Sequence, residues 1–244
     1  MDKKTPIADS RKELNLSAGL QRFHIFDVDL TIVRKTSAGY FLTMALQEKI
    51  IRFSQVSHLI IDWVKYKLAF PDIDFIENTV KKLSGIKKSQ LERISETCFE
   101  KRIKPNIYSQ AAQLIRQAAE KNEKVVFATS SFDFIIKPLE RFFGIDGSIS
   151  CQMEYLDGVT TGRLVGYSSF GARKKSAAQI WMEKNNINPQ DVSFYSDSYT
   201  DIPLLEYCGN PVAVNPDFIL LRKAKKSGWK ILRFNEVLGT QITS

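Results

Sequence analysis

The sequence predicts an α/β protein: a doubly wound parallel sheet with a helical insertion after its first strand. Three observations lead there. Short apolar runs at Phe23–Asp27, Lys124–Thr129 and Val192–Ser196 are followed by carboxylates or hydroxyls. Helical patterns separate these runs, and strands alternating with helices make parallel crossovers. Between the first two runs, residues 37–104 show helical spacing and little strand pattern.

The elements follow in chain order. Residues 1–20 are polar, mixed in charge, and read as a loose arm without the apolar core of a secretion signal. A core domain takes 21–36 and 105–244, and a helical insert takes 37–104. Phe41, Met44 and Ala45 mark one helix of the insert; Leu59, Ile60, Val64 and Leu68 mark a later one. Pro71 and Gly85 divide it. The stretch Leu59–Phe70, with Trp63 and Tyr66, reads first as the core of the insert. Its second reading is an apolar lid for a lipid-like substrate. Pro105 closes the insert, and Ile107, Ala111, Leu114, Ile115 and Ala118 mark an amphipathic helix. Lys124–Thr129 is a buried strand. Ser131 or Asp133 caps the next helix, which Gly144 ends. Asp157-Gly158 centres a hairpin over Met153–Leu164. A helix over Lys174–Asn186 precedes the strand Val192–Ser196. Strands at Pro211–Val214 and Lys230–Phe234 flank a helix near Phe218–Lys225.

Composition narrows the function classes. Among 244 residues, 35 Lys and Arg outnumber 27 Asp and Glu, giving a net charge of +8. That balance suits phosphate esters, nucleic acid or an anionic membrane surface. The basic residues are scattered. The densest patch, Arg222–Lys230, reads as a solvated helix end and turn. Zinc-finger spacing, aromatic-basic RNA motifs and sustained heptads are absent from the sequence, so no obligate nucleic-acid partner is expected. Cys98, Cys151 and Cys208 are far apart and read as buried thiols in a reducing cytosol. No run approaches the ~18–20 apolar residues that span a bilayer. A cytoplasmic protein is expected, with any membrane contact peripheral.

The chain is organised around Phe23–Thr31, an apolar run that delivers Asp27, Asp29 and Thr31 to its exit. Acids are costly to bury unpaired, so two at one strand exit mark a site. Strand alternation places Asp27 and Asp29 on one side. A divalent cation would relieve their repulsion. A calcium loop does not fit, because positions five, six and twelve hold Thr31, Ile32 and Ala38. A phosphate-binding glycine loop does not fit at Gly166–Gly171, because Ala172 replaces the required Lys.

Ligands in such sheets bind at the carboxyl ends of the strands. There the residues suit phosphoryl transfer. Asp27 can attack phosphorus as a nucleophile. Asp29 can serve as acid and base. Thr129 and the Ser130 N–H can hold phosphoryl oxygens. Lys174, at a helix start, can neutralise their charge. Asp27 and Asp197 can hold Mg2+, with Asp201 acting directly or through water and Asp29 alongside. Each residue alone has a plainer role as a strand-end hydroxyl, a solvated lysine or a helix cap. Their order along one sheet edge favours a site.

Asp27-Val-Asp-Leu-Thr31, Phe127-Ala-Thr-Ser-Ser131, Lys174 and Asp197-Ser-Tyr-Thr-Asp201 resemble the four motifs of the haloacid dehalogenase superfamily of phosphohydrolases. Ser131-Phe-Asp133, Gly144-Ile-Asp146, Thr161-Gly-Arg-Leu164 and Pro211-Val-Ala-Val-Asn-Pro216 resemble its subfamily IB, which includes phosphoserine phosphatase. The resemblance spans roughly 23–216. It implies a Rossmann-like core, a helical cap, Mg2+, and a small phosphorylated substrate hydrolysed through an aspartyl-phosphate on Asp27. It also implies Asp29 as acid/base, Thr129 as phosphate binder, Lys174 as the motif lysine, and Asp197 with Asp201 at the metal. Lys175 is the rival for Lys174. Leu30 stands where the family commonly has a small residue, which bears on packing near the cap hinge. Thr36 stands where phosphoserine enzymes usually carry Glu, which counts against phosphoserine. A lipid-type phosphate of the lysophosphatidate or phosphatidylglycerophosphate class is the second substrate reading. A non-catalytic anion- or nucleic-acid-binding module on the same scaffold is disfavoured by the intact acid pair.

Overall fold

A computed structural model describes residues 22–51, 79–145, 147–166 and 172–239. The arm, Leu59–Phe70, Pro71, Asp146 and most of the Gly166–Gly171 stretch lie outside the described residues. The strands are β1 (Phe23–Phe26), β2 (Lys124–Phe132), β3 (Ser148–Cys151), β4 (Met153–Leu156), β5 (Val159–Leu164), β6 (Val192–Ser196), β7 (Asn210–Val214) and β8 (Lys230–Leu232). Six form one sheet in the order β3-β2-β1-β6-β7-β8, with every pairing parallel. β4 and β5 form a separate antiparallel hairpin. The helices are α1 (Ser37–Gln47), α2 (Lys88–Cys98), α3 (Ser109–Glu120), α4 (Asp133–Phe143), α5 (Ala172–Lys184), the short α6 (Ile202–Leu205) and α7 (Phe218–Ser227).

Alternation along the central strands sends side chains into two apolar layers. Phe26, Phe127, Tyr195, Val212 and Val214 pack with α1 to α4 on one face. Ile25, Val126, Ala128, Phe194 and Ala213 pack with α5, α6 and α7 on the other. This is the doubly wound arrangement that the apolar runs predict. Buried on both sides, a strand such as β1 has no polar face to show.

Four local readings change. First, β1 ends at Phe26, although Asp27 N still donates to Tyr195 O at 2.9 Å. Asp29 lies beyond, in a loop closed by Ile32 N to Val28 O (2.9 Å) and Leu30 N to Val33 O (2.7 Å). Loop geometry, rather than strand alternation, therefore carries Asp29. Second, that loop holds Leu30 at φ 64°, so the family's small residue there answers to backbone conformation. Third, β2 does not stop at Thr129. It runs to Phe132 across an irregularity in its pairing with β3, a strand whose Ser-Ile-Ser-Cys sequence offers no apolar run. Fourth, Ser131 stays in that strand, and Asp133 is already helical. Phe132 holds the N-cap position of α4, while Asp133 Oδ1 accepts from Met153 N at 3.1 Å.

The two expected turn positions hold. Gly144 ends α4 at φ 68°. Asp157 and Gly158 adopt φ 50° and 75°, as a two-residue hairpin loop requires. The hairpin is also sewn to the segment before α2. Gly85 N donates to Thr160 O (2.9 Å), Thr160 N to Ile86 O (2.9 Å) and Lys88 N to Gly158 O (2.8 Å).

Candidate active site

The strand exits of β1, β2 and β6 bring the polar residues together. Asp27 follows β1 at 6% exposure, and Lys174, on α5, is 5% exposed. Lys174 Nζ donates to Asp27 Oδ1 and to Asp201 Oδ2, each at 2.8 Å. The ammonium therefore joins the first motif to the last. Lys175 is elsewhere, over the Tyr207 ring at 5.3 Å. Geometry thus separates the two lysines as helical position predicts, since neighbours on a helix face different ways.

Asp201 sits in the turn Tyr199–Asp201 after β6. Its Oδ2 also accepts from Ser196 Oγ at 2.7 Å. Its Oδ1 is buried, with no hydrogen-bond partner among the described residues. Asp197 Oδ1 accepts from Thr31 Oγ1 at 3.3 Å. Thr129 is 1% exposed, and its Oγ1 accepts from Ser131 N at 3.1 Å. Ser130 follows it in β2, half-buried. Asp29 Oδ1 accepts from Ser37 N at 2.7 Å, and Ser37 Oγ donates to Ser131 Oγ at 3.0 Å. The start of α1 is thereby tied to both motifs.

The electrostatics follow from burial. Desolvation pushes the Asp27 carboxyl up to about 7, Asp201 and Asp29 add to the rise, and Lys174 opposes it. Burial raises Asp29 as well, against the Ser37 bonds. Asp197 is held well above the carboxylate range by burial, then by Asp27 and Asp201. Burial alone would lower Lys174; Asp201 and Asp27 outweigh it and hold the ammonium above the usual lysine range.

Three buried carboxylates thus face one buried ammonium. That surplus of negative charge and the orphaned Asp201 Oδ1 fit a hard cation. Among the described residues, no three His, Cys, Asp or Glu side chains are gathered so as to hold a metal ion together. Asp27 and Asp201 each commit an oxygen to Lys174, and Asp29 commits one to Ser37. Magnesium needs only one or two carboxylates and keeps several waters.

Sequence reasoning missed three groups. Ser196 and Ser37 are fully buried hydroxyls bound to site residues. Asp217 takes Tyr199 N (2.6 Å) and Leu220 N (2.8 Å), fixing the loop that carries Asp201. Asp217 had a readable signal, an acid just before a helix. The serines had none beyond their place at an element end.

A parallel α/β fold that gathers paired acids and a buried lysine at its strand exits is the layout of an α/β hydrolytic enzyme. Its family is the haloacid dehalogenase-like hydrolases, to which residues 25–206 match and to which the chain belongs. A Mycobacterium tuberculosis protein named phosphoserine phosphatase is 26% identical over 96% of this chain and 78% of its own length. A Neisseria meningitidis histidinol-phosphatase is 29% identical over 88% of this chain and 100% of its own length. A solved structure from Bordetella pertussis, of unknown function, superposes with TM-score 0.76 at 26% identity, covering 87% of this chain and 98% of that one. The chain is an enzyme of the family's phosphatase kind.

Proposed function

We propose that the protein is a magnesium-dependent phosphomonoesterase acting on a small phosphorylated metabolite through an aspartyl-phosphate on Asp27. The observation that carries this reading is the buried Lys174 ammonium shared by Asp27 and Asp201 at 2.8 Å. A phosphoryl group entering beside Asp27 would meet that cation and the Thr129 hydroxyl. Both favour the charge that develops on the transferring oxygens. Asp27 Oδ forms the new bond to phosphorus as the ester bond to the leaving oxygen breaks. Asp29, whose proton burial favours, gives it to that oxygen. Asp29 then takes a proton from water, whose oxygen displaces Asp27 and releases inorganic phosphate.

Asp27 and Asp197, with Asp201 in support, would hold magnesium, which would supply positive charge to the phosphoryl oxygens and favour the ionised Asp27 that the attack requires. Helices α1 and α2 serve in this reading as part of a cap over the strand exits, enclosing a small substrate. The names of the two relatives, phosphoserine phosphatase and histidinol-phosphatase, favour an amino-bearing phosphomonoester. Thr36, in place of Glu, counts against phosphoserine.

The test is hydrolysis of an aryl phosphate and of histidinol phosphate, with magnesium and with chelator. Wild type is expected to turn over only with metal, and Asp27→Asn to lose at least about 10³-fold in kcat while remaining folded. Full turnover by Asp27→Asn, or by wild type in chelator, overturns the mechanism.

A further inference from the structure

Helix α7 carries an exposed stripe that hydrolysis does not use. At the helical repeat, Phe218, Ile219, Arg222, Lys225 and Lys226 fall within about a third of its circumference. All five are exposed, Phe218 at 71% and Ile219 at 53%, whereas Leu220 and Ala224 on the inner side are fully buried. The stripe is apolar at its N-terminal end and cationic beyond. The Arg222 guanidinium lies 5.7 Å from the Phe218 ring, so the two ends are continuous. Lys223 belongs to the fold, paired with Glu206 at 2.5 Å and seated over Trp229. Among the described residues, no carboxylate pairs with Arg222, Lys225 or Lys226. Asp217, which caps the helix, has both carboxylate oxygens occupied by N–H groups of Tyr199 and Leu220.

We propose that this stripe docks the enzyme on an anionic lipid bilayer. Phe218 and Ile219 enter the boundary between headgroups and acyl chains, and Arg222, Lys225 and Lys226 face the anionic headgroups. Charge complementarity selects an anionic partner, and the two exposed apolar side chains select lipid over nucleic acid. Phosphate-backbone binding has no use for an exposed isoleucine at the leading end of the helix. The attachment is peripheral, since among the described residues no helix is long and apolar enough to cross a membrane. It also has a direction. Asp217 N donates to Asp197 O at 2.9 Å, so the apolar end of α7 adjoins the loop that bears Asp197 and Asp201. Docking holds the candidate active-site edge of the sheet near the surface. The inference stands independently of the substrate proposed above.

The test is cosedimentation of the full chain with vesicles of phosphatidylcholine alone, or of phosphatidylcholine and phosphatidylglycerol in equal parts. Binding is expected only to the mixed vesicles and should weaken with salt. Replacing Arg222, Lys225 and Lys226 together with Gln should lower partitioning by about fivefold per charge removed. Phe218→Ser with Ile219→Ser should lower it in low and high salt alike. Both variants should keep wild-type turnover of a soluble aryl phosphate. Equal binding to both vesicle types, or unchanged binding by the Gln variant, overturns the proposal. So does tight binding to duplex DNA that the Phe218/Ile219 variant retains, which would assign the stripe to nucleic acid.

Discussion

At the scale of single residues, the loop after β1 holds the sharpest conflict between local preference and site geometry. Leu30 sits at φ 64°, where a Cβ costs roughly 1–2 kcal/mol. Its side chain is 38% exposed and packs little. Leu30→Gly is therefore expected to stabilise the protein by about 1 kcal/mol, raising Tm by about 2–4 °C. Asp27 makes a second prediction, read in chelator. Its folded-state pKa is raised to about 7 by burial, so the native state holds a proton that the unfolded chain releases at lower pH. Stability from this group is thus full below the ordinary carboxylate range and declines as pH rises toward 7. Asp197, shifted the same way, adds to the decline. Urea midpoints across that window should fall with rising pH, less steeply in Asp27→Asn and less steeply with magnesium present. A flat profile in chelator would contradict the burial of these carboxylates. The acids were legible in sequence because burying a carboxylate is too costly to be incidental. Ser37 and Ser196 were not, because a hydroxyl gains meaning only from what it touches.

At the scale of elements, the strands were legible where both faces are buried. Ile25-Phe26 and Phe194-Tyr195 each divide between the two apolar layers, which leaves a continuous apolar run in the sequence. β3 lies at the sheet edge and keeps Ser148 half-exposed, so its sequence lacks that run. The extension of β2 to Phe132 depends on pairing with Cys151, nineteen positions further along the chain, and no local pattern announces it. The hairpin was legible from Asp157-Gly158; its attachment to the segment before α2 was not, because long-range ladders leave no periodicity. That attachment makes a prediction. Thr160 is 2% exposed, accepts from Ile86 N at 3.0 Å and donates to Leu83 O. Thr160→Val strands both groups and should cost about 1–3 kcal/mol. Hydrogen exchange at the Ile86 amide should quicken relative to amides of β1. Unchanged protection at Ile86 would show that the hairpin contributes no restraint there.

At the scale of the whole molecule, Lys174 is where folding and function meet. It bonds residues 147 and 27 positions away, and so fastens α5 to the exit of β1 and the turn after β6. The ion triad is almost wholly buried, at 6%, 8% and 1% side-chain exposure for Lys174, Asp27 and Asp201. Removing one partner of a buried pair leaves a charge without compensation, at about 3–5 kcal/mol. Lys174→Met keeps the stem and deletes the charge, so it isolates that term. The variant should lose turnover, and its loss of stability should depend on pH in a stated direction. When Asp27 is ionised, the missing ammonium is felt in full. When Asp27 is protonated, no charge there needs a partner. The stability gap from wild type should therefore be widest above the raised Asp27 pKa of about 7 and narrow as pH falls below it. Adding Asp27→Asn should recover part of the gap near neutral pH without restoring turnover, because the deleted charge then answers only to Asp201. Denaturant unfolding of the four proteins in the double-mutant cycle measures this directly. A pH-independent gap, or a double variant no more stable than Lys174→Met, would mean that compensation of the Asp27 charge is not what Lys174 contributes to the fold.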